Sequence, residues 1–308
     1  GHHHHRDPAH PGLAGLIDRR RPAPTPPDAV RHPLRLLHGA GGALAALTLY
    51  LFLPYGVYAS RAFQPDPLMT AGMIWALWAL LRWQRKPGWA RALAAGALTG
   101  LAIYIKLTVI FFLAGAWIAV LLASIGLRAA LRSRQVWAIG ALSLLPYLAY
   151  HLYGTFGLGL LQGQFSLRFF PAMWLDWTFY LRWALKVNSV VPWPWLALAV
   201  AGLLTLPRKP ERAVWLGVGT GYLVYALIFA YYTTTHDYYQ LPLVPLAAIG
   251  VGAAFSALGR SFQGSPRLAW LLTAAMLAGF ALLQAYTVRQ DLLSMDLSLQ
   301  AALAEQVR

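Results

Sequence analysis

Apolar residues in this chain fall into long uninterrupted blocks, without the alternation of a half-buried strand or the one-sided stripe of a soluble helix. Blocks of about 17 to 22 residues, the length a helix needs to cross hydrocarbon at roughly 1.5 Å rise per residue, run over 38–59, 67–83, 136–153, 190–206, 213–231, 240–258 and 268–287. A further block, 92–123, is too long for one span, and Lys106 divides it. With Arg85, Lys86 and Arg91 before that block and Arg128, Arg132 and Arg134 after it, both ends belong on the same side of the membrane. The pattern predicts a tight hairpin of two short helices with Lys106 at its tip, and about nine spans in all. The expected fold class is all-α, a polytopic transmembrane helical bundle with an interfacial helix in a long outer loop.

Composition agrees: of 308 residues, 58% are hydrophobic and 11% charged. Under the nine-span reading, 18 of the 25 Lys/Arg fall on the side of the N-terminal tail and 7 on the other. The positive-inside rule then puts the tail in the cytoplasm and the C-terminus outside, in a multi-pass protein of the plasma (inner) membrane. The formal charge of +15 becomes a topology signal facing anionic lipids, so membrane lipids are expected partners and nucleic acid is not. No cysteine is present, which excludes disulfides and thiolate chemistry. Residues 1–37 form a Pro-, Arg- and His-rich tail expected to be disordered, 38–290 the membrane domain, and 291–308 an outer C-terminal segment.

Between the first two blocks lies Tyr58-Ala-Ser-Arg-Ala-Phe-Gln-Pro-Asp-Pro-Leu-Met69, which puts Arg61 and Asp66 at a membrane surface. Ionisable groups are costly beside hydrocarbon and so mark functional candidates, yet Pro-Asp-Pro is also a good helix start, and the residues alone leave the two readings even. Lys106 has no turn residues around it, so it either snorkels to the outer headgroups or faces a cavity and meets an anion. Arg168, Arg182 and Lys186 share its side of the membrane and could join it on a phosphate or pyrophosphate. The outer stretch 154–189 ends in an expected interfacial helix, with Trp174, Trp177, Tyr180 and Trp183 at headgroup level. A second outer cluster contains His236, Asp237, Tyr238 and Tyr239, which suits either a hydroxylated ligand or an interfacial tyrosine belt.

These residues resemble the bacterial family 39-type glycosyltransferases of the GT-C class, relatives of protein O-mannosyltransferases and aminoarabinose transferases. The stretch from Tyr58 is similar to that family's Y-x-S-R-x-x-x-x-D segment. Gly100-Leu-Ala-Ile-Tyr-Ile-Lys106 is similar to its G-L-a-x-x-x-K hairpin, and His236-Asp-Tyr-Tyr-Gln-Leu-Pro-Leu-Val-Pro245 to the Y-x-L-P-x-x-P start of a late span. The resemblance covers roughly residues 38–290. It implies transfer of a sugar from a polyprenyl-phosphate carrier to a lipid, glycan or protein acceptor on the extracytoplasmic face, with inversion. It implies Asp66, matching the family's second outer acid, as the catalytic candidate, Lys106 near the carrier phosphate, and residues 236–239 at the rim of the cavity. The expected substrate-binding set is Arg61, Lys106, Arg168, Arg182, Lys186, His236, Asp237, Tyr238 and Tyr239; metal use and cofactors are left open. The family's earlier span, with its first acidic outer loop, has no counterpart in this chain. An N-terminally incomplete gene product is therefore expected, and a non-catalytic membrane subunit is one competing reading. A transporter or lipid flippase is the other, although charges at outer helix ends and no evident repeat favour an enzyme.

Overall fold

A computed structural model describes residues 40–60, 63–163, 169–206, 209–261 and 266–294, and these are helical throughout apart from short connections. In chain order the α-helices are α1 (Ala40–Phe52), α2 (Pro54–Ser60), α3 (Pro65–Arg85), α4 (Trp89–Ile105), α5 (Ile110–Ser124), α6 (Leu127–Arg132), α7 (Arg134–Leu152), α8 (Trp177–Val190), α9 (Trp193–Leu204), α10 (Lys209–Ile228), α11 (Ala230–Thr235), α12 (Leu243–Ser261) and α13 (Pro266–Ser294). Short 3-10 turns cover Leu107–Val109, Pro171–Leu175 and Asp237–Gln240.

Four segments are long and apolar enough to cross a membrane: 107–124, 134–157, 243–261 and 270–290. Two bent pairs raise this to six, α1 with α2 at 60° and α8 with α9 at 87°. This makes the chain a multi-pass membrane protein. The expected nine spans are not reached on length and apolarity. α4 has 17 residues, while α3 and α10 carry charges such as Asp66, Arg82, Arg85, Glu211 and Arg212 near their ends. The block 38–59, read as one span, breaks before Pro54, whose ring removes a backbone donor and clashes with the preceding turn. The division of 92–123 at Lys106 is as the pattern predicts: α4 ends there, and Lys106 is extended (φ −155°, ψ 115°) before the next turn.

In lipid, apolar burial gives little net drive between helices, so association depends on close packing through small residues. The α5–α10 pair shows this. A Cβ added to Gly115 would come within 2.1 Å of the Gly217 carbonyl oxygen, and one on Gly221 within 2.1 Å of that of Phe111. Backbone therefore lies on backbone, antiparallel, with Phe112 fully buried beside it. α9 and α12 approach similarly through Gly202 and Gly250 and run parallel. α4 lies along α7 through Gly96 and Gly100, and α3 lies antiparallel to α4 where Gly72 faces Ala102. These directions gather the start of α3, the α4–α5 break and the α10–α12 connection at one end of the bundle. At the opposite end Arg85 of α3 pairs with Glu211 of α10 at 2.8 Å.

Candidate functional site

Asp66 occupies the first turn of α3, but it does not cap the helix. Gln64 is the N-cap and makes no side-chain cap bond. The Asp66 carboxylate instead accepts a hydrogen bond from Lys106 Nζ at 2.6 Å. Asp66 is buried and Lys106 nearly so, at 3% and 19% side-chain exposure. The sequence suggested Arg61 as the neighbour of this acid; Arg61 lies outside the described residues, and the anion that Lys106 meets is Asp66. Both backbone groups of Lys106 stay bonded across the helix break, its amide to the Ala102 carbonyl and its carbonyl to the Val109 amide. The break thus turns the side chain toward α3 without stranding a buried peptide group. The α3 N-terminus adds partial positive charge beside the Asp66 carboxylate.

A second ion pair joins Lys186 Nζ of α8 to Asp237 Oδ1 at 2.6 Å, and it is more open, at 32% and 39% exposure. Tyr238 and Tyr239 connect the two pairs. Lys106 Nζ lies 5.2 Å from the centroid of each ring, within cation–π range. Tyr55 of α2 is within electrostatic range of Asp66, Asp237 and Tyr238. Tyr239 is buried and stacks on Tyr225 and Tyr232, and His236 lies edge-on to Tyr238 at 5.2 Å with Nδ1 2.8 Å from the Thr235 hydroxyl. Burial, then the Asp66 charge, pushes the Tyr238 phenol above its ordinary range, so it stays a neutral donor.

The turn carrying Asp237, Tyr238 and Tyr239 is anchored by Gln240, which is fully buried. Its Nε2 donates to the Thr233 carbonyl at 2.8 Å, and its Oε1 accepts from the Tyr222 hydroxyl at 2.5 Å. That hydroxyl in turn accepts from Trp183 Nε1 of α8 at 2.7 Å. Trp183, expected at headgroup level, therefore faces the bundle, whereas Trp177 and Tyr180 remain exposed. Trp174 is exposed but directs its indole to the Leu227 carbonyl. Sequence reading assigned no role to Tyr55, Tyr222 and Gln240 and placed Trp183 at the headgroups. A polar amide in the otherwise apolar start of a helical block was the one available signal.

The structure thus brings together Asp66, Lys106, Lys186, His236, Asp237, Tyr238 and Tyr239. Arg182 stays exposed on α8 one turn before Lys186, near Asp176, and Arg168 lies outside the described residues. Asp176 caps α8 by accepting from the Thr178 amide and hydroxyl, and these bonds hold its carboxyl below the usual range. Among the described residues no three His, Cys, Asp or Glu side chains are grouped to hold a metal.

A multi-pass helical bundle with two lysine–aspartate pairs and a tyrosine-lined rim defines a membrane protein with a cluster of polar side chains at one end of its helices. Residues 32–153 match the dolichyl-phosphate-mannose-protein mannosyltransferase family. The matched stretch contains Asp66 and Lys106; Lys186 and Asp237 lie beyond it. No curated protein and no solved structure matches the chain.

Proposed function

We propose that the chain is a membrane glycosyltransferase that moves a sugar from a polyprenyl-phosphate carrier to an acceptor hydroxyl at the site end of the bundle. The observation that carries this reading is the buried Asp66–Lys106 pair inside the family-matched segment. The family description makes a mannosyl donor and a protein acceptor the first pair to test. In the reaction the acceptor oxygen attacks the sugar C1 as the bond from C1 to the phosphate oxygen breaks. The acceptor proton passes to the Asp66 carboxylate, and the electron pair leaves with the polyprenyl phosphate, whose charge Lys106 and Lys186 stabilise. Tyr238 and the rim around His236 contact sugar hydroxyls.

Nine membrane passages fit this arrangement, because α3, α4 and α10 run alongside the longer spans and return the chain to the correct side each time. The lysine and arginine bias then sets the site end on the extracytoplasmic face. Transport is less well supported, since the ionisable groups gather at one end instead of near the midplane.

The test uses the purified chain in proteoliposomes with polyprenyl-phosphate mannose and a serine- and threonine-containing peptide. The chain should transfer mannose to the peptide, and Asp66→Asn should lower the rate by about a hundredfold or more while donor binding persists. Transfer by Asp66→Asn at the wild-type rate, or neither transfer nor donor hydrolysis by the wild-type chain, overturns the proposal.

A further inference from the structure

At the end of the bundle opposite the site, the α3–α4 turn frames a cavity of about 490 Å³ lined by Trp78, Arg82, Gly88, Trp89, Arg91 and neighbouring alanines. Its chemistry is uneven in an informative way. Two guanidinium groups face it, and no carboxylate lines it. Arg82 lies over the Trp78 ring at 4.8 Å, and Arg91 folds back to donate to the Lys86 carbonyl at 3.1 Å. Among the described residues neither arginine is paired with an acid, whereas their neighbour Arg85 is taken up by Glu211. Guanidinium carries five donors in a rigid fork that suits phosphate oxygens, so two such groups at one concavity leave donors for an anion.

The surrounding aromatics say where that anion comes from. Trp75, Trp78 and Trp89 are all about half exposed, and Trp75 packs edge-on against Trp78. Trp78 and Trp89 line the cavity at the α3–α4 turn, and exposed indoles near such a turn suit the headgroup level, where an indole has hydrocarbon on one side and water on the other. The rest of the lining is alanine and helix surface, which suits the upper part of an acyl chain. Charge complementarity and depth agree on one occupant.

We infer that the Trp78–Arg82–Trp89–Arg91 cavity is a binding site for the phosphate of an anionic phospholipid in the leaflet opposite the ion-pair cluster. The lipid phosphate bridges Arg82 and Arg91, and the glycerol and first methylenes lie against the indoles. The site is independent of the transfer chemistry, so its test does not rest on glycosyltransferase activity.

The experiment is native mass spectrometry of the full chain in a neutral detergent, titrated separately with phosphatidylglycerol and with phosphatidylcholine. Phosphatidylglycerol should bind more tightly. The Arg82→Gln/Arg91→Gln double variant should lose about tenfold or more of that affinity and leave phosphatidylcholine binding unchanged. Arg128→Gln/Arg132→Gln, two charges removed elsewhere on the chain, should keep the preference. Trp89→Ala keeps both arginines and should weaken binding of the lipid but not its selectivity. Equal loss for both lipids in the Arg82/Arg91 variant overturns the inference, as does an equal loss of phosphatidylglycerol binding in the Arg128/Arg132 variant. Displacement of the lipid by millimolar inorganic phosphate also overturns it, because the site would then hold a free anion and not a lipid.

Discussion

Asp66 and Lys106, 40 positions apart in sequence, meet at 2.6 Å in a pair whose acid is almost wholly withdrawn from water. Neither helix end would hold its charge alone. Asp66 is buried at the start of α3, and Lys106 interrupts an apolar block, so each supplies the counter-charge the other needs.

Lys106→Met leaves a buried carboxylate unpaired and should destabilise the bundle by about 3 kcal/mol, whereas Asp66→Asn should cost less because Lys106 keeps some access to water. Adding Asp66→Asn to Lys106→Met should recover part of the loss. Unfolding of the three variants in mixed micelles checks this; additive losses would show that the two charges do not interact.

Gln240→Leu removes the amide that ties Thr233 to Tyr222 and leaves both without their partner. It should destabilise by about 1–3 kcal/mol and loosen the turn bearing Asp237 to Tyr239. Tyr222→Phe should be milder. Amide hydrogen exchange across residues 233–240 should rise in Gln240→Leu and remain near wild type for α7.

Gly217→Ala should disrupt the α5–α10 contact, since a Cβ there would lie 2.2 Å from the Gly115 carbonyl oxygen. A loss of about 1–3 kcal/mol is expected from the resulting backbone shift. Gly219→Ala, two residues along the same helix with nothing within 4 Å, should be neutral or slightly stabilising. The difference between the two variants in thermal stability is the measurement.

Because the chain contains no cysteine, single cysteines report topology without background. Replacements at exposed Ser60 and Thr235 should react with an impermeant thiol reagent from outside the cell, and one at exposed Ala129 should not. Labelling of Ala129→Cys from outside would invert the proposed orientation.

The apolar blocks made the helices legible, and a block too long for one span, divided by Lys106 and flanked by basic clusters, marked the break between α4 and α5. The ion pair formed there was not legible. Local reading offered Asp66 a neighbour five residues away in Arg61, or a capping role, while its partner comes from the next hairpin. Tyr238 and Tyr239 were visible as a rim cluster, but their hold on Lys106 depends on how α10 packs against α5. Trp183 carried the signature of an interfacial belt, and only the position of Tyr222 shows that it turns inward. Periodicity reports which residues avoid water; it carries little information about which polar groups find each other once the helices are assembled.

The 87° bend between α8 and α9 has a mechanical consequence. α9 runs beside α12, while α8 projects across the end of the bundle and holds Lys186 about five residues, or roughly 7 Å, from the corner. A rocking of α9 by about 10°, small beside the tilts membrane helices adopt as bilayer thickness changes, would swing Lys186 by roughly 1 Å. That stroke is enough to stretch the contact to Asp237 out of hydrogen-bonding range. At this corner a tilt of α9 would be converted into a displacement of the more open of the two charge pairs.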